Sequence, residues 1–233
     1  MSLSSPAAIF DVTTAASAKA DILAAFDALP SGEALLVRSV GRPEATLLTL
    51  RTERTGAYEW TPLVEGPGHW EVEVHKREAA AAPLRGVTDA LGWDHDRLDA
   101  LEMGAMKAWD AQDTRNATRL HLRFAFGLQR HIRFEESVLF PEFERVSGMA
   151  PDRGPTAVMR DEHRAIEALL EDVKEAAAMG VRPAETTREE LRALLHDHNV
   201  KEEQVLYPML DRALTGRESD AVVFRFQSMD PAR

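Results

Sequence analysis

The chain has 233 residues, of which 39 are acidic and 28 basic, giving a formal charge of -11, and it contains no cysteine. That length accommodates one large domain or two modest ones with a proper core. The charge opposes binding to nucleic acid or to a membrane surface, and the lack of thiols excludes disulfides, thiolate nucleophiles and cysteine-bound iron-sulfur clusters, leaving nitrogen and oxygen to hold any metal.

Residues 1–10 carry no signal-peptide pattern, and no run approaches the roughly 20 apolar residues of a membrane span, so a cytoplasmic protein is expected. The first 80 residues then alternate short elements. Residues 18–29 place Ile22, Leu23, Phe26 and Leu29 on one helical face and stop at Pro30 and Gly32. Glu33–Val40 reads as a strand. Residues 43–54 read as helix or strand, because Leu47 and Leu50 share a helical face while Thr46, Thr49 and Thr52 suit a sheet. Tyr58–Val64 and Trp70–His75 read as antiparallel strands joined by a turn at Glu65–Gly68. The expectation is a small α+β sandwich over residues 8–78, followed by a linker at 79–87.

Beyond the linker the hydrophobic period becomes helical. Four long segments, at about 90–112, 115–146, 155–179 and 185–214, predict an all-α up-down four-helix bundle over residues 88–215, with a tail from 216 to 233. The bundle is an internal duplication. His95-Asp-Arg-Leu-Asp-Ala-Leu101 aligns with His163-Arg-Ala-Ile-Glu-Ala-Leu169 at an offset of 68, and His131 to Pro141 aligns with His198 to Pro208 at an offset of 67. Two helix pairs related by an approximate two-fold axis follow from that repeat.

In His131-x-x-x-Glu135 and His198-x-x-x-Glu202 the imidazole and the carboxylate lie one helical turn apart on the same face. His95 and His163 add one imidazole each from the other two helices. Four imidazoles and two carboxylates converging from four helices are ligands for two metals, and without thiolate they suit iron, manganese or zinc, with a di-iron or di-manganese centre favoured. Two divalent ions so held keep a net charge of about +2, which a bridging oxide or two hydroxides would neutralise. The six ligands also leave coordination positions open.

The twice-occurring H-x-x-x-E-E-x-x-L-[FY]-P, with a lone histidine 36 residues upstream in one half and 35 in the other, resembles the hemerythrin-like (HHE) cation-binding family. The resemblance implies a non-heme di-iron site, oxo- or hydroxo-bridged, with His95, His131, Glu135, His163, His198 and Glu202 as ligands and the two glutamates as bridges. Oxygen carriers of that family use a fifth histidine, which has no counterpart here. Phe10-Asp-Val, Phe26-Asp-Ala-Leu-Pro30, Gly32-Glu-Ala, Tyr58-Glu-Trp60 and Gly66 to Trp70 resemble a small domain of unknown function that accompanies such bundles. Its fold, two helices on a four-stranded sheet, is that of sulfur carriers, but the cysteine their chemistry needs is absent.

Several residues fall outside the ligand set. Glu136 and Glu203, about 100° round from the ligand glutamates, are expected behind the ligands or at the surface. Tyr207 reads as core, placed to donate a hydrogen bond to an oxygen ligand. His121 reads as structural, His196 as solvent-facing, and His69 and His75 have no partners at ligand spacing. The apolar run Ala221–Phe226 fits docking on the bundle, on the N-terminal domain or across a homodimer. Three functions share the site: binding or sensing of dioxygen, nitric oxide or redox state; an enzyme that consumes peroxide or nitric oxide or aids iron-sulfur cluster repair; and an iron-binding or storage module.

Overall fold

The computed structural model describes residues 8–12, 18–77 and 84–229. They fall into two compact units, one comprising 8–12, 18–77 and 227–229 and the other running from Leu84 to Phe226.

The first unit contains β1 (Ala8–Asp11), α1 (Ala18–Ala28), β2 (Ala34–Ser39), α2 (Glu44–Glu53), β3 (Tyr58–Gly66) and β4 (His69–Lys76). The sheet order is β1-β2-β4-β3, with β1 parallel to β2 and the other pairs antiparallel. An irregularity between Pro62 and Val64 breaks the β3–β4 register, as expected where a proline removes a ladder donor. Ile22, Phe26, Leu47 and Leu50 of the helices, with Leu29 just after α1, form one core with Leu35, Val37, Val72, Val74, Tyr58 and Trp60 of the sheet. Residues 43–54 are therefore helical. The hydroxyls of Thr49 and Thr52, which argued for a strand, bond back to the carbonyls of Ala45 and Leu48 one turn earlier.

The second unit is the bundle, built from α3 (Gly86–Asp110), α4 (Thr114–Phe134), α5 (Phe140–Ser147), α6 (Pro155–Ala178), α7 (Glu185–Lys201) and α8 (Tyr207–Ala213), with α9 (Gly216–Ser228) following. Asp113 caps α4 by accepting from the Asn116 amide, and Gly148 (φ 70°) ends α5 in a left-handed turn. Asp211 accepts from the Val87 and Thr88 amides and the Thr88 hydroxyl, pinning the start of α3 to α8. A side chain at Gly86 (φ 87°) would meet the Asp211 carboxylate at 2.7 Å. The α3–α4 pair is equally tight at Gly127, where a Cβ would lie 2.8 Å from the Leu98 side chain.

The second and fourth long helices are each interrupted by a π-helical turn, Glu135–Leu139 between α4 and α5 and Glu202–Leu206 between α7 and α8. Both interruptions stand just before a proline, Pro141 and Pro208, whose ring would clash with the carbonyl four residues back in a regular α-helix. Widening the turn moves that carbonyl away. The tail forms α9, with Val222 and Phe226 buried and the Phe226 ring packed 4.9 Å from Phe134 and 5.9 Å from His131. No helix among the described residues is long and apolar enough to cross a membrane.

Candidate metal centre

All six residues singled out in the sequence come together inside the bundle, and each is buried. His95 on α3 and His131 on α4 face each other, with Nε2 atoms 3.2 Å apart. His163 on α6 and His198 on α7 form the matching pair, with ring centroids 4.9 Å apart. The glutamates stand between the pairs and address both. Glu135 Oε1 is 3.6 Å from His131 Nε2, while its Oε2 is 3.2 Å from His163 Nε2. Glu202 Oε2 is 3.5 Å from His95 Nε2, while its Oε1 is 3.1 Å from His198 Nε2. Each carboxylate thus offers one oxygen to each half of the duplication.

The outer nitrogens explain why the inner ones converge. His131 Nδ1 donates to Asp94 (2.9 Å), His198 Nδ1 to Glu162 (3.0 Å), His95 Nδ1 to Glu203 (2.7 Å) and His163 Nδ1 to Glu136 (3.0 Å). A proton held at Nδ1 leaves the Nε2 lone pair free for a metal, and the carboxylate behind it makes the ring a better donor. Glu136 and Glu203 therefore serve the lone histidine of the opposite half. Asp94 and Glu162 went unrecognised in the sequence, although each immediately precedes a lone histidine at the same offset of 68.

Tyr207 completes the interior. In a continuous α-helix the fifth residue after Glu202 would lie about 140° around the axis, but the π turn closes a bond from the Tyr207 amide to the Glu202 carbonyl and returns the ring to the glutamate's face. Its hydroxyl lies 2.6 Å from Glu135 Oε1, 2.8 Å from Glu202 Oε2 and 3.4 Å from His131 Nε2. The counterpart in the other half is Phe140, whose ring stacks on His163 at 5.4 Å.

The electrostatics call for positive charge. Burial alone would suppress ionisation of Glu135, yet the nearby His131 and His163 hold its carboxyl well below the usual range. Burial would likewise lower His95 and His198, but the adjacent Glu202 carboxylate, supplemented at His95 by Glu203, outweighs it and raises them to about 10 and about 9. Burial beside the two carboxylates pushes the Tyr207 phenol well above its ordinary value. Glu135 Oε2, Glu202 Oε1 and His163 Nε2 are buried and make no hydrogen bond. Unsatisfied buried oxygens and nitrogen aimed at one another are costly without a cation between them, so the donor set fits a metal. Glu135, His163, His198 and Glu202 can converge on one ion, and His95, His131 and Glu202 on another.

The remaining histidines lie apart. His121 is fully buried and accepts a hydrogen bond from the Trp109 indole (3.0 Å), whereas His196 is exposed. In the first unit His69 lies 3.5 Å from Glu71, and His75 contacts the buried Glu73. Neither belongs to a metal-competent group among the described residues.

Comparison with known proteins gives two family matches. Residues 10–76 match the model of an uncharacterized conserved protein family, DUF2249. No curated protein and no solved structure matches the chain significantly. The model described as the hemerythrin HHE cation binding domain matches residues 73–210, more than half of the chain and all six clustered residues, and the chain belongs to that family.

Proposed function

We propose that the buried cluster holds two iron ions, one at His95 and His131 and one at His163 and His198, bridged by Glu135 and Glu202, and that the chain binds or responds to dioxygen, nitric oxide or redox state there. The observation that carries this reading is the division of each glutamate's two oxygens between the two histidine pairs, with all four Nδ1 atoms tied back to carboxylates. When bound, such a metal pair supplies a change of oxidation state and open positions for a diatomic ligand. The protein's part is positional and protic. Burial keeps bulk water from the cluster, and the Tyr207 hydroxyl supplies a hydrogen-bond donor beside His131 that Phe140 does not provide beside His163.

The burial of all six clustered residues is the observation that favours a binding or sensing role. The test is iron reconstitution without oxygen, followed by visible absorption as oxygen or nitric oxide is admitted and then removed. About two irons per chain and an absorption change that reverses on removal support the reading. Steady consumption of gas or peroxide would instead make the protein an enzyme. Zinc or no metal would overturn both. Tyr207→Phe should keep the iron content while shifting the spectrum of the gas-exposed form.

A further inference from the structure

A cavity of about 440 Å³ lies between α3 and α7, with side chains of α4 and α6 closing its inner end. That volume is within the range of small-molecule sites. Its inner and outer parts differ in chemistry. Phe124 of α4, Val173 of α6 and Leu191 of α7 are buried and make an apolar floor, extended by Leu195. Asp96, Asp99 and Glu102 of α3 and Glu203 of the π turn after α7 put four carboxylates in the walls.

These carboxylates are not equally committed. Glu203 pairs with His95 at 2.7 Å and Glu102 with Arg192 at 3.2 Å. Arg188, the other guanidinium of the lining, pairs with Glu185 at 2.8 Å and lies 3.8 Å from Glu102. Both arginines are thus matched by acids. Asp96 and Asp99, three residues apart on α3 and both exposed, have no hydrogen bond or ion pair among the described residues. Burial raises the Asp99 carboxyl above its ordinary value; His95 opposes that shift, and the charges of Asp96, Glu102 and Glu203 reinforce it. A cation at this wall would relieve the repulsion. The four carboxylates do not converge into a metal-competent group among the described residues, so the excess negative charge beside an apolar floor suits an organic cation rather than a bare ion.

We infer that this cavity binds a primary alkylamine in its ammonium form, the ammonium donating to Asp96 and Asp99 and the alkyl chain lying along Phe124, Val173, Leu191 and Leu195. An alkylammonium has three N–H donors and no acceptor, which matches two carboxylates that only accept, and hydrogen bonds between charged partners are the stronger kind. Neither aspartate belongs to the six clustered residues, so the site stands apart from any iron at the cluster.

Titration calorimetry of the full-length chain with octylammonium at neutral pH, in chelator and again after iron loading, tests the inference. One octylammonium per chain should bind with similar affinity in both states. Butylammonium, too short to cover the floor, and octanoate, which brings negative charge to the aspartates, should each bind at least about tenfold more weakly. Asp96→Asn combined with Asp99→Asn should weaken octylammonium at least about tenfold, whereas Glu189→Gln combined with Glu190→Gln, exposed acids of α7 outside the cavity, should leave it unchanged. Leu191→Trp, which fills the floor, should abolish binding. Circular dichroism identifies any variant that fails to fold, and the comparison of ligands on the unaltered chain stands without the variants. Equal weakening by the two double variants would mean general attraction to a chain of charge -11 and would overturn the proposal. So would octanoate or butylammonium binding as tightly, no binding to the unaltered chain, or binding in only one of the two metal states, which would place the ammonium at the cluster or make the cavity dependent on iron.

Discussion

Around His131 the outer carboxylate, Asp94, is fully buried and held by Arg97 at 2.8 Å and Arg130 at 3.1 Å, with Phe226 of α9 packed over the Arg130 guanidinium. Around His198 the matching carboxylate, Glu162, is partly exposed and pairs with Lys201 at the surface. The hydroxyl of Tyr207 faces the first pair of histidines, where Phe140 stacks on the second. Duplication has thus preserved the inner ligand pattern while the surroundings diverged. One half carries a sealed ionic cluster and a proton donor, and the other a solvent-adjusted pair and an apolar ring. The two proposed metal positions should therefore differ in stability and reactivity even though their inner residues correspond one to one.

Breaking the sealed cluster should have the largest effect. Arg130→Ala leaves Asp94 buried with one fewer cation, which should cost about 3–5 kcal/mol in chemical denaturation. The next largest concerns His121, whose counterpart in the second half is the permanently charged Arg188. Its folded value of about 4 lies below the ordinary 6.5. Its neutral burial therefore contributes stability fully above pH 6.5, and this is lost as pH falls from 6.5 towards 4, a total of about 3 kcal/mol. His121→Gln should flatten the stability profile in that window; a slope that persists unchanged would assign it to other groups.

Smaller effects sharpen the contrast at the metal. Asp94→Asn and Glu162→Gln each weaken a carboxylate behind a proposed ligand histidine, and chelator competition should show affinity losses of about 10–100-fold. The greater loss belongs to Asp94, where no solvent can replace the charge. Equal losses would mean that the divergence of the two halves does not reach the metal. The smallest effect is at Lys201→Ala, whose partly exposed ion pair should be worth less than about 1 kcal/mol by denaturation.

The convergence of the six clustered residues was legible in the sequence because an i, i+4 spacing fixes two side chains on one face regardless of what surrounds them. The gaps between the expected helices were legible for a similar reason, since Asp113 and Gly148, which stand at two helix ends, act locally. The π turns were not read, although Pro141 and Pro208 stand six residues after the glutamates at positions a regular helix does not tolerate. Without them Tyr207 could be suspected near the centre but not placed against both carboxylates. β1, only four residues long, offers too little pattern to identify alone. The cavity lined in part by His121 depends on four helices, α3, α4, α6 and α7, meeting, so periodicity along the chain could not reveal it.

Glu135 and Glu202 are proposed to hold two metal ions together between the histidine pairs. Anomalous diffraction at the iron edge from crystals of the iron-loaded chain tests it most directly. Two peaks, one beside His95 and His131 and one beside His163 and His198, each within bonding distance of both glutamates, are the predicted result; a single peak, or none within the cluster, would contradict it.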